Sequence, residues 1–207
     1  MKHCNKIPRR IEISPAFVAL LCAYFYFDPA QTFAPFVFAI TLHEAGHLLA
    51  LRLLHARIHR LQFSICGAVI STDPLRYSQE LIAAISGPFV NFMFLLLSLQ
   101  NYPRFALVNF CLLFFNLLPF YPLDGGRFLR ALLHLLLTDR AAQFVETLVM
   151  SVCLLSLTAF SCYLTCIWHA GLWPILVCAL LLLRIAGNYL PEHFSKKVSS
   201  FNRNFSR

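Results

Sequence analysis

The stretch His43-Glu44-Ala45-Gly46-His47 lies near the middle of an apolar run that covers residues 33–54. On a helix, His43 and His47 are four residues apart, so both imidazoles project from one face. This is the spacing at which two histidines hold a zinc ion, with the intervening Glu44 placed to act as a general base on water. Ionisable side chains inside a membrane cost at least about 2.5 kcal/mol each on insertion scales, so their presence there indicates function.

The composition and its distribution along the chain indicate a protein embedded in a lipid bilayer. Of the 207 residues, 59% are hydrophobic and 13% are charged, whereas soluble domains carry about 25% charged residues. The apolar residues form six segments long enough to span or nearly span a bilayer, at 14–27, 33–54, 80–99, 105–123, 144–166 and 172–190. We therefore predict an all-α polytopic membrane protein with about six transmembrane helices. A single transmembrane domain covers 1–190, and a short basic cytoplasmic tail covers 191–207.

The net charge of +8 is distributed as in a multi-pass membrane protein. If the N-terminus faces the cytoplasm, every Lys and Arg except Arg104 falls on the cytoplasmic side of the predicted helices. This asymmetry is the positive-inside rule, and it predicts that both termini are cytoplasmic. The basic residues are expected to meet the anionic lipid bilayer, and no nucleic acid is expected as a partner.

The connection after the second predicted helix has a strand-like pattern. Apolar residues alternate imperfectly between Ile58 and Ile65, Cys66-Gly67 interrupts the pattern, and Asp73-Pro74 ends it. Either a short membrane-associated β-hairpin or an ordinary amphipathic connection fits this pattern. A hairpin would offer an open edge to an extended peptide.

A catalytic zinc site keeps three protein ligands and one open position, so a third ligand is expected from another helix. The predicted helices 33–54 and 105–123 run in the same direction, and Asp124 follows the second of them near the depth of the two histidines. Pro119 and Pro122 break that helix and two glycines follow, so the backbone can turn inward and present the carboxylate. Asp124 is therefore the candidate third ligand, and the alternative is a turn residue that faces water.

Two asparagines lie at membrane depth near this candidate site. Asn91 follows Ser86-Gly87-Pro88 on the third predicted helix, and Asn116 lies two turns before Asp124. Each amide could hold a substrate carbonyl, stabilise an oxyanion or orient a metal ligand. A plain interhelical hydrogen bond is the alternative for each of them.

Three segments of the chain resemble the signature segments of the site-2 proteases, which are intramembrane zinc metalloproteases. These segments are His43-Glu-Ala-Gly-His47, Gly87-Pro-Phe-Val-Asn91 and Asn116-Leu-Leu-Pro-Phe-Tyr-Pro-Leu-Asp124-Gly-Gly. Their order and internal spacing match the family over the region 33–130. The resemblance implies a zinc ion (Zn2+) held by His43, His47 and Asp124, with Glu44 as the catalytic base.

Within that family the chain is most similar to the sporulation-type branch, typified by the stage IV sporulation protease that releases a membrane-tethered pro-sigma factor. Like that branch, it has six predicted helices and no PDZ insert. The chain departs from the branch in two places. The tail at 191–207 is too short for the cytoplasmic CBS domain often found there, and Ile65-Cys-Gly-Ala68 stands where the branch tends to have Pro-x-Gly-Gly. These departures bear on nucleotide regulation and on substrate docking.

The resemblance implies an intramembrane zinc metalloprotease of the bacterial cell membrane. Such an enzyme is expected to cleave a membrane-tethered or transmembrane protein and to release a cytoplasmic fragment, with a pro-sigma factor as one candidate. A regulatory membrane partner that gates access is compatible with such a site, and the sequence leaves the oligomeric state open. The alternative is a non-enzymatic metal-binding membrane protein, either a transporter or an inactive scaffold. The presence of Glu44 beside the candidate ligands favours the enzyme.

Overall fold

The computed structural model describes residues 10–28, 31–64, 67–121, 123–167 and 178–179. The helices in these parts of the chain are α1 (Pro15–Tyr26), α2 (Phe33–Leu53), α3 (Tyr77–Ser98), α4 (Pro103–Asn116), α5 (Asp124–Leu136) and α6 (Asp139–Cys166). The strands are β1 (Arg10–Ile13), β2 (Ile58–Ser64) and β3 (Gly67–Thr72). Of the helices, α2, α3 and α6 are long and apolar enough to cross a bilayer.

The predicted apolar segments correspond to helices where the structure describes them. The helix predicted at 105–123 is shorter than expected, since α4 ends at Asn116 and the chain then turns. Pro119 cannot continue a helix, because its nitrogen has no hydrogen to donate and its ring clashes with the preceding turn. The segment predicted at 172–190 lies almost wholly outside the described residues, as does the tail at 191–207.

Specific hydrogen bonds define both ends of α2. At its start, the Asp28 carboxylate accepts a hydrogen bond of 2.6 Å from the backbone N–H of Phe33, one of the groups that a helix start leaves unpaired. At its end, His55 has a φ of 56°, and the N–H of Ala56 donates to the carbonyl of Leu51 at 3.0 Å. This is the Schellman arrangement, and it directs the chain from the membrane helix into β2.

The hairpin interpretation of the connection after α2 is confirmed. β2 and β3 pair antiparallel, and β1 adds to β2 in parallel, so that Leu61 of β2 pairs with Ile11 on one side and Ile70 on the other. β1 was not predicted, because four residues are too few for an alternating pattern to stand out. The order β1-β2-β3 leaves the outer sides of β1 and β3 as the sheet edges among the described strands.

Small residues bring α2 and α3 into close contact. The buried alanines of the two helices are Ala39, Ala50, Ala83 and Ala84. A Cβ at Gly46 would lie 2.9 Å from the carbonyl oxygen of Ser86, so this position has no room for a side chain. Close approach at small residues is typical of helices that pack in membranes. Here it brings the histidine-bearing face of α2 against α3.

The chain between α4 and α5 folds back into the protein interior. Leu118, Phe120 and Leu123 are buried and cluster with Met150 of α6. The sequence predicts that Asp124 follows the broken end of the helix at 105–123, but Asp124 is in fact the first residue of the separate helix α5. The buried turn therefore sets where this helix begins.

Two glycines allow α5 to begin directly against this turn. A Cβ at Gly126 would overlap backbone atoms of Phe120 and Tyr121, and a Cβ at Gly125 would overlap the carbonyl of Leu117. Backbone atoms cannot move aside as the end of a flexible side chain can. The close packing of these glycines therefore holds Asp124 at a defined place.

We expect Gly126→Ala to destabilise the protein by about 1–3 kcal/mol, the usual cost of overpacking a tight site, although alanine is otherwise the better helix former. The measurement is the thermal unfolding midpoint of the purified protein in detergent. The control is Leu136→Ala, at a residue of α5 that is 71% exposed and should change the midpoint little. An unchanged midpoint for Gly126→Ala would contradict this account of the turn.

Candidate metal centre

Three side chains from distant parts of the chain meet at one point. The Nε2 atoms of His43 and His47 lie 3.1 and 3.0 Å from Oδ2 of Asp124, and the two Nε2 atoms lie 3.1 Å from each other. All three residues are buried. α2 supplies the histidines and α5 supplies the carboxylate, so the turn after α4 completes the cluster. These residues form a candidate metal site.

The donor atoms fit a zinc ion. Zinc accepts imidazole nitrogen and carboxylate oxygen at about 2.0–2.2 Å, so ligand atoms around a tetrahedral ion are about 3.3–3.6 Å apart. The three donor atoms here are 3.0–3.1 Å apart, only slightly closer than that. A buried group of mutually facing lone pairs is costly unless a cation or shared protons lie among them. The cluster therefore has both the atom types and the spacing of a metal site.

Gly87 of α3 keeps the space beside the donor atoms free. A Cβ at this position would overlap Nε2 of His47 and would lie 2.8 Å from Cε1 of His43. At this position α3 therefore meets the cluster with backbone alone. Glycine in a membrane helix generally allows close helix packing, and at Gly87 the site itself adds a second requirement.

Hydrogen bonds from α3 hold both imidazoles. Nδ1 of His47 lies 2.7 Å from the carbonyl oxygen of Ala83, an acceptor, so Nδ1 carries the proton and the lone pair of Nε2 faces the cluster. Nδ2 of Asn91 lies 3.0 Å from Nδ1 of His43, and Oδ1 of Asn91 is buried without a hydrogen-bond partner among the described residues. If His43 also presents Nε2 to a metal, a half-turn of the Asn91 amide lets Oδ1 accept from Nδ1–H.

Glu44 faces a cavity and is not one of the three donors. With Phe17 of α1 and Leu61 of β2, it lines a cavity of about 210 Å³. A carboxylate in this position can exchange a proton with a molecule that occupies the cavity.

The two asparagines, for which the sequence allows the same roles, differ in burial and in their contacts with the candidate ligands. Asn91 is fully buried and contacts the ring of His43. Asn116 is half-buried at the end of α4. Among the hydrogen bonds between described residues, none joins Asn116 to His43, His47 or Asp124.

The sequence did not predict that two charged residues, Glu80 and Arg127, lie near Asp124. Nη2 of Arg127 lies 2.7 Å from Oε1 of Glu80, and Nη1 of Arg127 lies 3.7 Å from Oδ1 of Asp124. The three-residue spacing of Asp124 and Arg127 on a helix is a signal of contact that can be seen in the sequence. Nothing in the sequence pairs Arg127 with Glu80, which is 47 positions away.

The apolar helices and the buried His-His-Asp cluster indicate a class of protein, namely multi-pass membrane proteins with a candidate metal site among their helices. A family model described as Peptidase family M50 matches residues 98–160. A zinc metalloprotease from Methanocaldococcus jannaschii is 30% identical over 59% of this chain and 42% of its own length. This chain thus spans less than half the length of that relative.

The fold is also similar to that of a solved structure, the site-2 protease from Methanocaldococcus jannaschii. The TM-score is 0.57 at 22% sequence identity, and the alignment covers 86% of this chain and 89% of that one. This likeness is one of fold, whereas the two sequence matches are to a peptidase M50 model and to a zinc metalloprotease. None of the three matches names a sporulation protein, so the sporulation-type branch stays a prediction.

We expect Gly87→Ala to remove most of the metal bound by the purified protein, because the added methyl group would occupy the space beside both histidine rings. The metal content of the protein, measured by elemental analysis, tests this. Ile82→Val is the control, since it removes one methylene from a residue of α3 that is 52% exposed and should retain full metal content. Equal metal content in the two variants would contradict the role given to Gly87.

Proposed function

We propose that this protein is an intramembrane zinc metalloprotease. The observation that carries the proposal is the buried convergence of one carboxylate and two imidazole donors within 3.0–3.1 Å of one another, with Glu44 on an adjoining cavity. The M50 match and the zinc metalloprotease relative support the same activity. A transporter or an inactive scaffold has no need of a base beside the metal ligands, so we favour the enzyme.

In the proposed site, His43, His47 and Asp124 hold Zn2+, the metal that the M50 match and the relative imply. When bound, the ion supplies a Lewis acid that polarises the carbonyl of the scissile peptide. The carbonyl of Ala83 accepts from Nδ1–H of His47, and the amide of Asn91 would do the same for Nδ1–H of His43 once its oxygen is turned toward that ring. Such outer hydrogen bonds keep the ligand nitrogen free of a proton and fix the plane of the ring.

Glu44 is the proposed general base and general acid. Its carboxylate accepts a proton from the attacking water and later donates that proton to the leaving amine. The neighbouring side chains Ile40, Ala45 and Leu48, which also line the cavity, are apolar. Apolar side chains cannot accept the transferred proton, so it stays with Glu44 between the two steps.

The proposed substrate is a membrane-tethered or transmembrane protein that unwinds before it is cut, because a helix hides its peptide bonds from attack. Residues of α1, α2 and β2 line the cavity beside Glu44. An extended segment of the substrate that lies alongside the sheet could therefore reach Glu44. The outer edge of β3 is unpaired among the described strands. A backbone edge of this kind can hold an extended peptide by main-chain hydrogen bonds.

We propose that cleavage releases a cytoplasmic fragment. The distribution of Lys and Arg supports cytoplasmic termini. With that orientation of the chain, Glu44 of α2 lies in the cytoplasmic half of the membrane. A pro-sigma factor is the candidate substrate that the sporulation-type resemblance suggests.

Glu44→Gln is expected to leave zinc bound and to abolish cleavage, because the amide keeps the shape of the side chain but cannot accept the proton. The measurement is the cleavage of a co-expressed membrane-tethered reporter, together with the zinc content of the purified variant. Asp124→Ala is the companion variant and should lose zinc and activity together. Cleavage by Glu44→Gln at the rate of the unmodified protein would refute the proposed mechanism.

Asn91→Ala is expected to weaken zinc binding by about 10- to 100-fold, the usual effect of losing a hydrogen bond to a metal-bound histidine. Asn91→Asp keeps an acceptor for Nδ1–H of His43 and should bind zinc within a few-fold of the unmodified protein. Competition with a chelator of known affinity measures both values. If Asn91→Ala instead bound zinc normally and lost only turnover, Asn91 would act on the substrate or an oxyanion.

A further inference from the structure

Arg127 connects the first turns of α3 and α5. Its Nε and Nη2 atoms donate to Oε1 of Glu80 at 2.8 and 2.7 Å. Its Nη1 atom points the other way and lies 3.7 Å from Oδ1 of Asp124. The side chains of Arg127 and Glu80 are 30% and 26% exposed, so both are largely withdrawn from solvent. Neither residue belongs to the donor cluster.

The position of Arg127 is unfavourable for its own helix. It is the fourth residue of α5, and the start of a helix carries the positive end of the helix dipole. A cation there is disfavoured unless nearby anions compensate. Glu80 and Asp124, each in the first turn of its helix, are the anions that lie within 4 Å of Arg127 among the described residues.

The two oxygens of the Asp124 carboxylate have different partners. No side-chain cap fixes the start of this helix at Leu123. Both histidine contacts of Asp124 use Oδ2, so the orientation of the carboxylate depends on what meets Oδ1. Among the described residues, Arg127 is the charged group that faces Oδ1.

We propose that the Glu80–Arg127 pair positions Asp124 as the third metal ligand. The inference rests on the proposed function, since it takes His43, His47 and Asp124 as ligands. Glu80 holds the guanidinium from α3, and the guanidinium attracts Oδ1 of Asp124, the carboxylate oxygen that neither histidine contacts. Glu80 and Arg127 are thus positioning residues that touch neither metal nor substrate.

This assignment links α3 to each of the three ligands, directly to the two histidines and through Arg127 to Asp124. Ala83 holds His47, Asn91 holds His43, and Glu80 acts on the carboxylate through Arg127. The three contacts come from a single helix packed against both α2 and α5. A shift of α3 would therefore disturb the whole donor set at once.

The test measures the affinity of the purified full-length protein for Zn2+ by competition with a chelator. Glu80→Gln and Arg127→Gln should each weaken zinc binding by about 10- to 100-fold. Because the two residues act as one unit, the double variant should bind no more weakly than the weaker of the single variants. Arg127→Lys keeps the charge but loses the two-nitrogen contact, and it should give an intermediate affinity.

The matched control is Arg130→Gln. Arg130 lies three residues further along α5, where it is exposed and packs over the ring of Tyr121 at 5.5 Å. Its loss should leave zinc affinity unchanged. The visible spectrum of the Co2+-loaded protein adds a readout of ligand geometry, which should change for Glu80→Gln and stay the same for Arg130→Gln.

The possible outcomes separate this inference from the proposed function. If the unmodified protein binds zinc tightly and both Glu80→Gln and Arg127→Gln bind it equally well, the positioning role is wrong and the metal site stands. A lowered unfolding midpoint of the metal-free variants with unchanged zinc affinity would likewise overturn it, since the pair would only join two helices. If His43→Ala binds zinc as tightly as the unmodified protein, the donor set itself is wrong, and the proposed function fails together with this inference.

Discussion

The structure depends on the burial of three polar side chains inside an apolar helical protein. Two imidazoles and a carboxylate that are removed from water need partners, and each missing partner costs on the order of 1–3 kcal/mol or more. His43, His47 and Asp124 meet this need by facing one another within 3.0–3.1 Å. The close contact of α2 with α3 and the buried turn after α4 both serve this arrangement, because either one alone would leave the cluster incomplete.

α3 organises the site although it supplies no ligand. Gly87 leaves room for the donor atoms, while the carbonyl of Ala83 and the amide of Asn91 contact the two histidine rings. Glu80 of the same helix reaches α5 through Arg127. The division of roles has a physical basis. Ligands must come from separate elements to surround an ion, whereas the groups that orient them can come from the one helix that all of these elements touch.

The apolar segments could be predicted well because lipid selects for length and hydrophobicity, which are local properties. The alternation between Ile58 and Ile65 was sufficient to suggest the hairpin but not to exclude an amphipathic connection. The start of α5 was missed for another reason. Pro119 and the following turn end α4, and nothing local shows that a new helix begins at Asp124, since its first turn is held by contacts of Gly125 and Gly126 with the preceding turn.

The spacing of His43 and His47 is enough to place both rings on one face, because the helical period is a property of the backbone alone. The types of residue were likewise enough to predict a metal site and a neighbouring base. Which distant groups join them depends on packing. Asp124 meets the histidines because a buried turn starts α5 beside α2. Asn91 contacts the ring of His43, whereas no hydrogen bond among the described residues joins Asn116 to a candidate ligand. The contact of Arg127 with Glu80 links two helices that only the folded protein brings together, so no local pattern records it.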